Sequence, residues 1–131
     1  RAQMVTFLWR ANGSPVFDYA MNFTDVPADA YYADAVRWAV SKGITSGTSA
    51  TTFAPDMTVT RAQTVTFLYR AAGTPAVSGG SFADVDANAY YADAVAGAVS
   101  EGITSGTSAT TFSPDAACTR GQIVTFLYRA Q

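Results

Sequence analysis

Residues 23–56 read FTDVPADAYYADAVRWAVSKGITSGTSATTFAPD, and residues 82–115 read FADVDANAYYADAVAGAVSEGITSGTSATTFSPD. Extended through the stretch that follows, Phe23 to Ala71 aligns without a gap on Phe82 to Ala130 at an offset of 59, with 37 of 49 pairs identical. Such identity at a fixed period makes the repeat, rather than any single motif, the unit to interpret. A third, partial copy opens the chain, since RAQMVTFLWRANGSP at residues 1–15 matches RAQTVTFLYRAAGTP at residues 61–75. The chain divides accordingly into the C-terminal helix of a truncated repeat (1–15), a linker (16–22), a complete repeat (23–72), a second linker (73–81) and a second complete repeat (82–131).

Each repeat can be read from its punctuation. Val36, Ala39 and Val40 stand at helical spacing in the stretch Ala33 to Lys42, and Gly43 followed by apolar Ile44 supplies a stop. The segment Thr45 to Asp56 is rich in Ser, Thr and Gly and carries Phe53 and Pro55, which predicts a structured loop pinned by one buried aromatic. Thr60 followed by Gln63, and Thr119 followed by Gln122, are capping boxes that start a second helix in each copy. In that helix Val65, Leu68 and Ala72 form one stripe, widened by Phe67 and Ala71. Phe7, Phe67 and Phe126 are expected in the core, and Cys118, in the place of Val59, reads as a small buried apolar residue.

Composition removes several function classes. Eight Lys+Arg against ten Asp+Glu, with a single lysine, Lys42, provide no basic face for phosphates, so no nucleic-acid partner is expected. No apolar run reaches the roughly 20 residues that span a bilayer, so no membrane insertion is expected, and the start lacks the layout of a signal peptide. One cysteine and no histidine exclude an internal disulfide and disfavour zinc or nucleophilic chemistry. With one glutamate, Glu101, and no carboxylate pair at catalytic spacing, no catalytic residue, cofactor or metal is expected.

The Phe-x-Asp-Val opening, the Gly-Ile-x-x-Gly segments (Gly43 to Gly47, Gly102 to Gly106), the Phe-x-Pro turns (Phe53 to Pro55, Phe112 to Pro114) and the Thr-Arg-x-Gln helix starts occur twice in the same order. In these features the chain resembles the S-layer homology (SLH) domain family. The resemblance implies a mainly α fold of tandem helix-loop-helix repeats, forming a pseudo-threefold spindle or part of one. It implies an extracellular module of the bacterial cell surface, bound non-covalently to anionic secondary cell-wall polysaccharide, in many members through a pyruvylated sugar. The family's arginine falls on Arg1, Arg61 and Arg120, and its ligand-approaching glycines on Gly43, Gly47, Gly102 and Gly106. The family's motif glutamate is here Gln3, Gln63 and Gln122, and Tyr31 and Tyr90 stand where many members carry tryptophan.

A guanidinium suits a sugar carboxylate because it is permanently charged and can donate two parallel hydrogen bonds. Arg61 and Arg120 just inside helix starts would add the pull of unpaired amides on an anion, while Tyr31 and Tyr90 could cover a sugar face. The plainer alternatives are ion pairs of these arginines with Asp25 and Asp84, or with Asp56 and Asp115, and packing roles for the tyrosines. Asp25 and Asp84 otherwise position the arginines. Arg37-Trp38 becomes Ala96-Gly97 in the second copy, where Gly97 costs about 1 kcal/mol relative to alanine inside a helix. Trp38 reads either as an exposed contact or as a packed helix face. Beside polysaccharide anchoring stands a second function, self-assembly of repeats into an extracellular layer or filament, with a neighbouring chain completing the truncated repeat.

Overall fold

The computed structural model of the chain describes residues 1–16, 22–75 and 82–130. Most of the two linkers, residues 17–21 and 76–81, together with residue 131 lies outside the described residues. Five helices account for the regular structure described: α1 (Ala2–Ala11), α2 (Ala33–Ser41), α3 (Arg61–Ala71), α4 (Ala92–Ser100) and α5 (Arg120–Arg129). The mainly α, helix-loop-helix reading is thus the observed architecture.

Two packing units divide the chain, Arg1–Thr58 and Val59–Gln131. In the first, α1 lies against α2, and in the second, α3 lies against α4. The division falls just before the capping threonine of α3, so each unit joins the second helix of one repeat to the first helix and loop of the next. The reason lies in the faces: α2 buries Ala33, Ala35, Val36, Trp38 and Ala39. α1 turns Met4, Val5 and Leu8 inward in the same unit, and the two stripes remove each other from water. Trp38 is 4% exposed, which excludes its reading as a surface contact.

The helix ends are fixed by local chemistry. Ile44 N donates to Ala39 O at 2.9 Å and Gly43 N to Val40 O at 3.1 Å, a Schellman closure in which Gly43 takes φ +72°. Ile103, Gly102, Ala98 and Val99 repeat it at the end of α4. At the start of α3, Gln63 N donates to Thr60 Oγ1 at 3.1 Å while Thr60 N donates to Gln63 Oε1 at 3.0 Å, and Thr119 with Gln122 forms the same box on α5. Phe53 and Phe112, both fully buried, pin the loops, and the thiol of Cys118 is buried, which raises its pKa.

Candidate functional site

The Phe-x-Pro loop is the platform on which each candidate arginine lands. Asp25 accepts from Phe53 N (2.9 Å) and Ala54 N (2.7 Å), and Asp84 accepts from Phe112 N (2.9 Å) and Ser113 N (2.8 Å). These bonds hold Ala54 and Ser113 at φ +61°, a left-handed conformation that costs a residue with a Cβ about 1 kcal/mol or more. Desolvation raises the Asp25 pKa, but the amides of Phe53, Ala54 and Asp25 itself, together with the charge of Arg1, leave it below the ordinary carboxylate value. The Phe112 amide does most to lower that of Asp84.

In the second unit the guanidinium of Arg61 lies over the Phe112 ring at 4.8 Å and the Phe126 ring at 5.5 Å, and its Nε donates to Phe112 O at 2.9 Å. Arg61 is 5% exposed. The alternative of an ion pair with Asp84 or Asp115 does not form, because Asp84 is committed to the loop amides and Arg61 donates to a carbonyl. The first unit uses the same lock, with Arg1 Nε donating to Phe53 O at 2.8 Å and the guanidinium 4.8 Å from the Phe53 ring centroid.

The expectation of free amides at the start of α3 is corrected. Arg61 N donates to Ala116 O at 2.9 Å, Ala62 N to Pro114 O at 2.9 Å and Gln63 N to Thr60 Oγ1, so the first turn is already satisfied by the loop and the cap. An anion there would have to displace backbone bonds.

What remains open is a polar groove beside the lock. It encloses about 480 Å³ and is lined by Arg61, Thr104, Ser105, Gly106, Thr119, Gly121, Gln122, Thr125, Phe126 and Arg129. Among the described residues no buried side-chain nitrogen or oxygen lacks a partner, and the hydrogen bond of the Arg61 side chain runs through Nε. Arg61 thus stands at the wall of this groove with its side chain fixed through Nε. Arg61 and Gly106 are brought together in this groove, with the Thr119–Gln122 box forming one bank.

Other candidates are placed elsewhere. Gly43 and Gly102 are spent on helix closure, and a Cβ at either would meet nothing within 4 Å, so their requirement is conformational. At Gly47 a Cβ would stand 2.5 Å from Thr52 O and 2.6 Å from the Phe23 ring, and Gly106 is held likewise by Thr111 O and Phe82. The Gly47 and Gly106 amides donate to Thr45 and Thr104 Oγ1 at 3.1 Å, which occupies the bonds a ligand would need. Tyr31 and Tyr90 are 61% and 64% exposed, each edge-on to its neighbour, Tyr32 or Tyr91, and Tyr90 is not part of the groove wall. Arg120 is exposed at the start of α5 and does not line the groove either.

Sequence reasoning missed Arg129, which lines the groove and donates from Nη1 to Ile103 O at 3.2 Å, along with the hydroxyls of Thr104, Ser105 and Thr125. The signal was present in the repeat itself, because Arg10, Arg70 and Arg129 recur at the same place in the second helix.

The family model of the S-layer homology domain matches residues 22–65 and 81–124. A "Surface-layer 125 kDa protein" of Lysinibacillus sphaericus is 36% identical over 100 residues, covering 76% of this chain and 8% of that protein. A "Cell surface protein" of Thermoanaerobacter kivui is 32% identical over 114 residues, covering 82% of this chain and 15% of that protein. The chain spans less than a sixth of the length of either relative.

Proposed function

Because this chain belongs to the S-layer homology family, we propose that it is a non-catalytic module that anchors a larger protein to the bacterial cell surface by holding anionic cell-wall polysaccharide in the Arg61 groove. The bacterial cell surface is the location that the family match and the two relatives support. The observation that carries the polysaccharide reading is the fixed setting of Arg61. In support of it, the Nε bond to Phe112 O and the ring contacts fix the guanidinium at the wall of a groove that is also lined by Thr104, Ser105 and Thr125. A fixed planar cation can meet a sugar carboxylate with two parallel bonds at little entropic cost. Arg129 adds a second positive charge on the same wall, while Thr104, Ser105 and Thr125 offer partners for ring hydroxyls.

The test is co-sedimentation with cell-wall sacculi that retain or lack their secondary polysaccharide. Arg129→Gln is the variant of choice, since Arg129 is exposed and its loss spares the core. The chain should pellet only with polysaccharide present, and Arg129→Gln should weaken pelleting about tenfold, as expected for a charge-assisted bond at a partly open site. Equal pelleting with stripped sacculi would overturn the reading.

A further inference from the structure

Asp84 does not line the Arg61 groove, yet it grips the residue that holds Arg61 there. Its Oδ1 accepts from Phe112 N at 2.9 Å and its Oδ2 from Ser113 N at 2.8 Å, so each carboxylate oxygen takes one of two consecutive amides. The carbonyl of the same Phe112 accepts from Arg61 Nε at 2.9 Å, and its ring centroid lies 4.8 Å from the guanidinium carbon. Phe112 thus meets the carboxylate with its amide and the guanidinium with its carbonyl and ring. The next residue, Ser113, stands at φ +61°, a left-handed conformation that a residue with a Cβ leaves unless something holds it. The first unit contains the same relay. Asp25 accepts from Phe53 N at 2.9 Å and Ala54 N at 2.7 Å, Ala54 stands at φ +61°, and Arg1 Nε donates to Phe53 O at 2.8 Å. The left-handed residue is a serine in one copy and an alanine in the other, so its side chain is not what holds the turn.

We propose that Asp84 is a positioning residue for polysaccharide binding, setting the direction of the Arg61 guanidinium through the backbone of Phe112. The inference rests on the polysaccharide reading of the groove, because aim matters only where a ligand is to be met. The chemistry calls for a carboxylate. Its two oxygens both accept, which suits two adjacent N–H groups, whereas a carboxamide of the same shape offers one acceptor and turns a donor on the other amide. The Phe112 amide does most to hold the Asp84 carboxyl below its ordinary pKa, so the bond on which the relay depends also favours the charged form. In Asp84→Asn the turn at Ser113 relaxes and Phe112 O moves off Arg61 Nε. The guanidinium then loses the fixed plane that two parallel bonds to a sugar carboxylate require, and binding bears the entropy of fixing it again.

The relay is read without ligand and its purpose with one, both on the whole chain. Heteronuclear NMR follows solvent exchange of the Arg61 Nε–H, assigned through its contact with the Phe112 ring. Asp84→Asn should speed that exchange about tenfold or more while the helical circular dichroism is kept. Asp25→Asn, which cuts the sibling loop, should leave the Arg61 signal unchanged. Co-sedimentation of Asp84→Asn with sacculi that retain their polysaccharide should weaken about tenfold. Asp84 is exposed, so its replacement spares the core. Should the variant still not fold, the same substitution is made in Ser113→Gly, where the turn takes its φ without strain. In either background, a folded variant whose Arg61 Nε–H stays protected, or one that frees it and pellets like its Asp84 parent, would overturn the positioning role. A wild-type chain that fails to pellet with polysaccharide would instead overturn the reading of the groove, and the Nε–H comparison would still decide whether Asp84 aims Arg61.

Discussion

Arg1, Arg61 and Arg120 carry one motif letter in two settings, since Arg1 and Arg61 share the same lock on a Phe-x-Pro loop. Arg61 lies over the Phe112 and Phe126 rings, bonded to a carbonyl and 5% exposed, whereas Arg120 is exposed. Arg61→Ala should therefore cost about 3 kcal/mol, the sum of a charged hydrogen bond and two cation–π contacts at a largely desolvated site. Arg120→Ala should stay within about 0.5 kcal/mol, both read from urea unfolding. Asp25 and Asp84 make a prediction of opposite chemical sense. Their folded pKa values are lowered, so the stability they confer is present above the unfolded value of about 3.9 and is lost as pH falls through the folded values. The melting temperature should drop steeply below about pH 4, and Asp25→Asn/Asp84→Asn should flatten that drop. The capping boxes were legible because both partners lie three residues apart. The partner of Arg61, Phe112, lies 51 residues away in the next repeat, at a separation that local periodicity does not encode.

At the level of the element, loop and helix stop use glycine for different reasons, and substitution separates them. Gly43→Ala or Gly102→Ala meets open space and should cost about 1 kcal/mol for the left-handed backbone alone. Gly47→Ala or Gly106→Ala adds a collision with a carbonyl and a phenyl ring and should cost about 3 kcal/mol or prevent folding of the loop, measured by thermal unfolding. In the sequence Gly43 reads as a helix stop, while the family resemblance gives all four glycines one role in approaching the ligand. The distinction depends on Phe23 and Phe82 reaching back over the loop, which no spacing rule within the motif reveals. The helices themselves were readable because their stripes, caps and stops agree with one another.

For the whole molecule, the sequence repeat and the packing unit are out of phase. A fragment of residues 59–131, which contains α3, α4 and α5 with their loop, should melt cooperatively on its own. A fragment of residues 23–72 holds α2 without α1 and α3 without α4, and should be largely unfolded by circular dichroism. The repeat was visible in the sequence as identity at an offset, but identity does not say which copy a helix packs against. That information sits in faces, such as Val65 and Leu68 of α3 beside Ala94 and Ala98 of α4.

The segment 73–81 joins two sequence repeats, yet α3 before it and α4 after it lie in the same packing unit. Proteolytic clipping within it would consequently nick a unit rather than release one. α3 would remain tied to the far fragment by Arg61 Nε to Phe112 O, Ala62 N to Pro114 O and the pairing of Thr60 with Ala117. Such a digest should show two bands on a denaturing gel and a single peak in native gel filtration, and a clipped chain would keep its grip wherever the uncut one held.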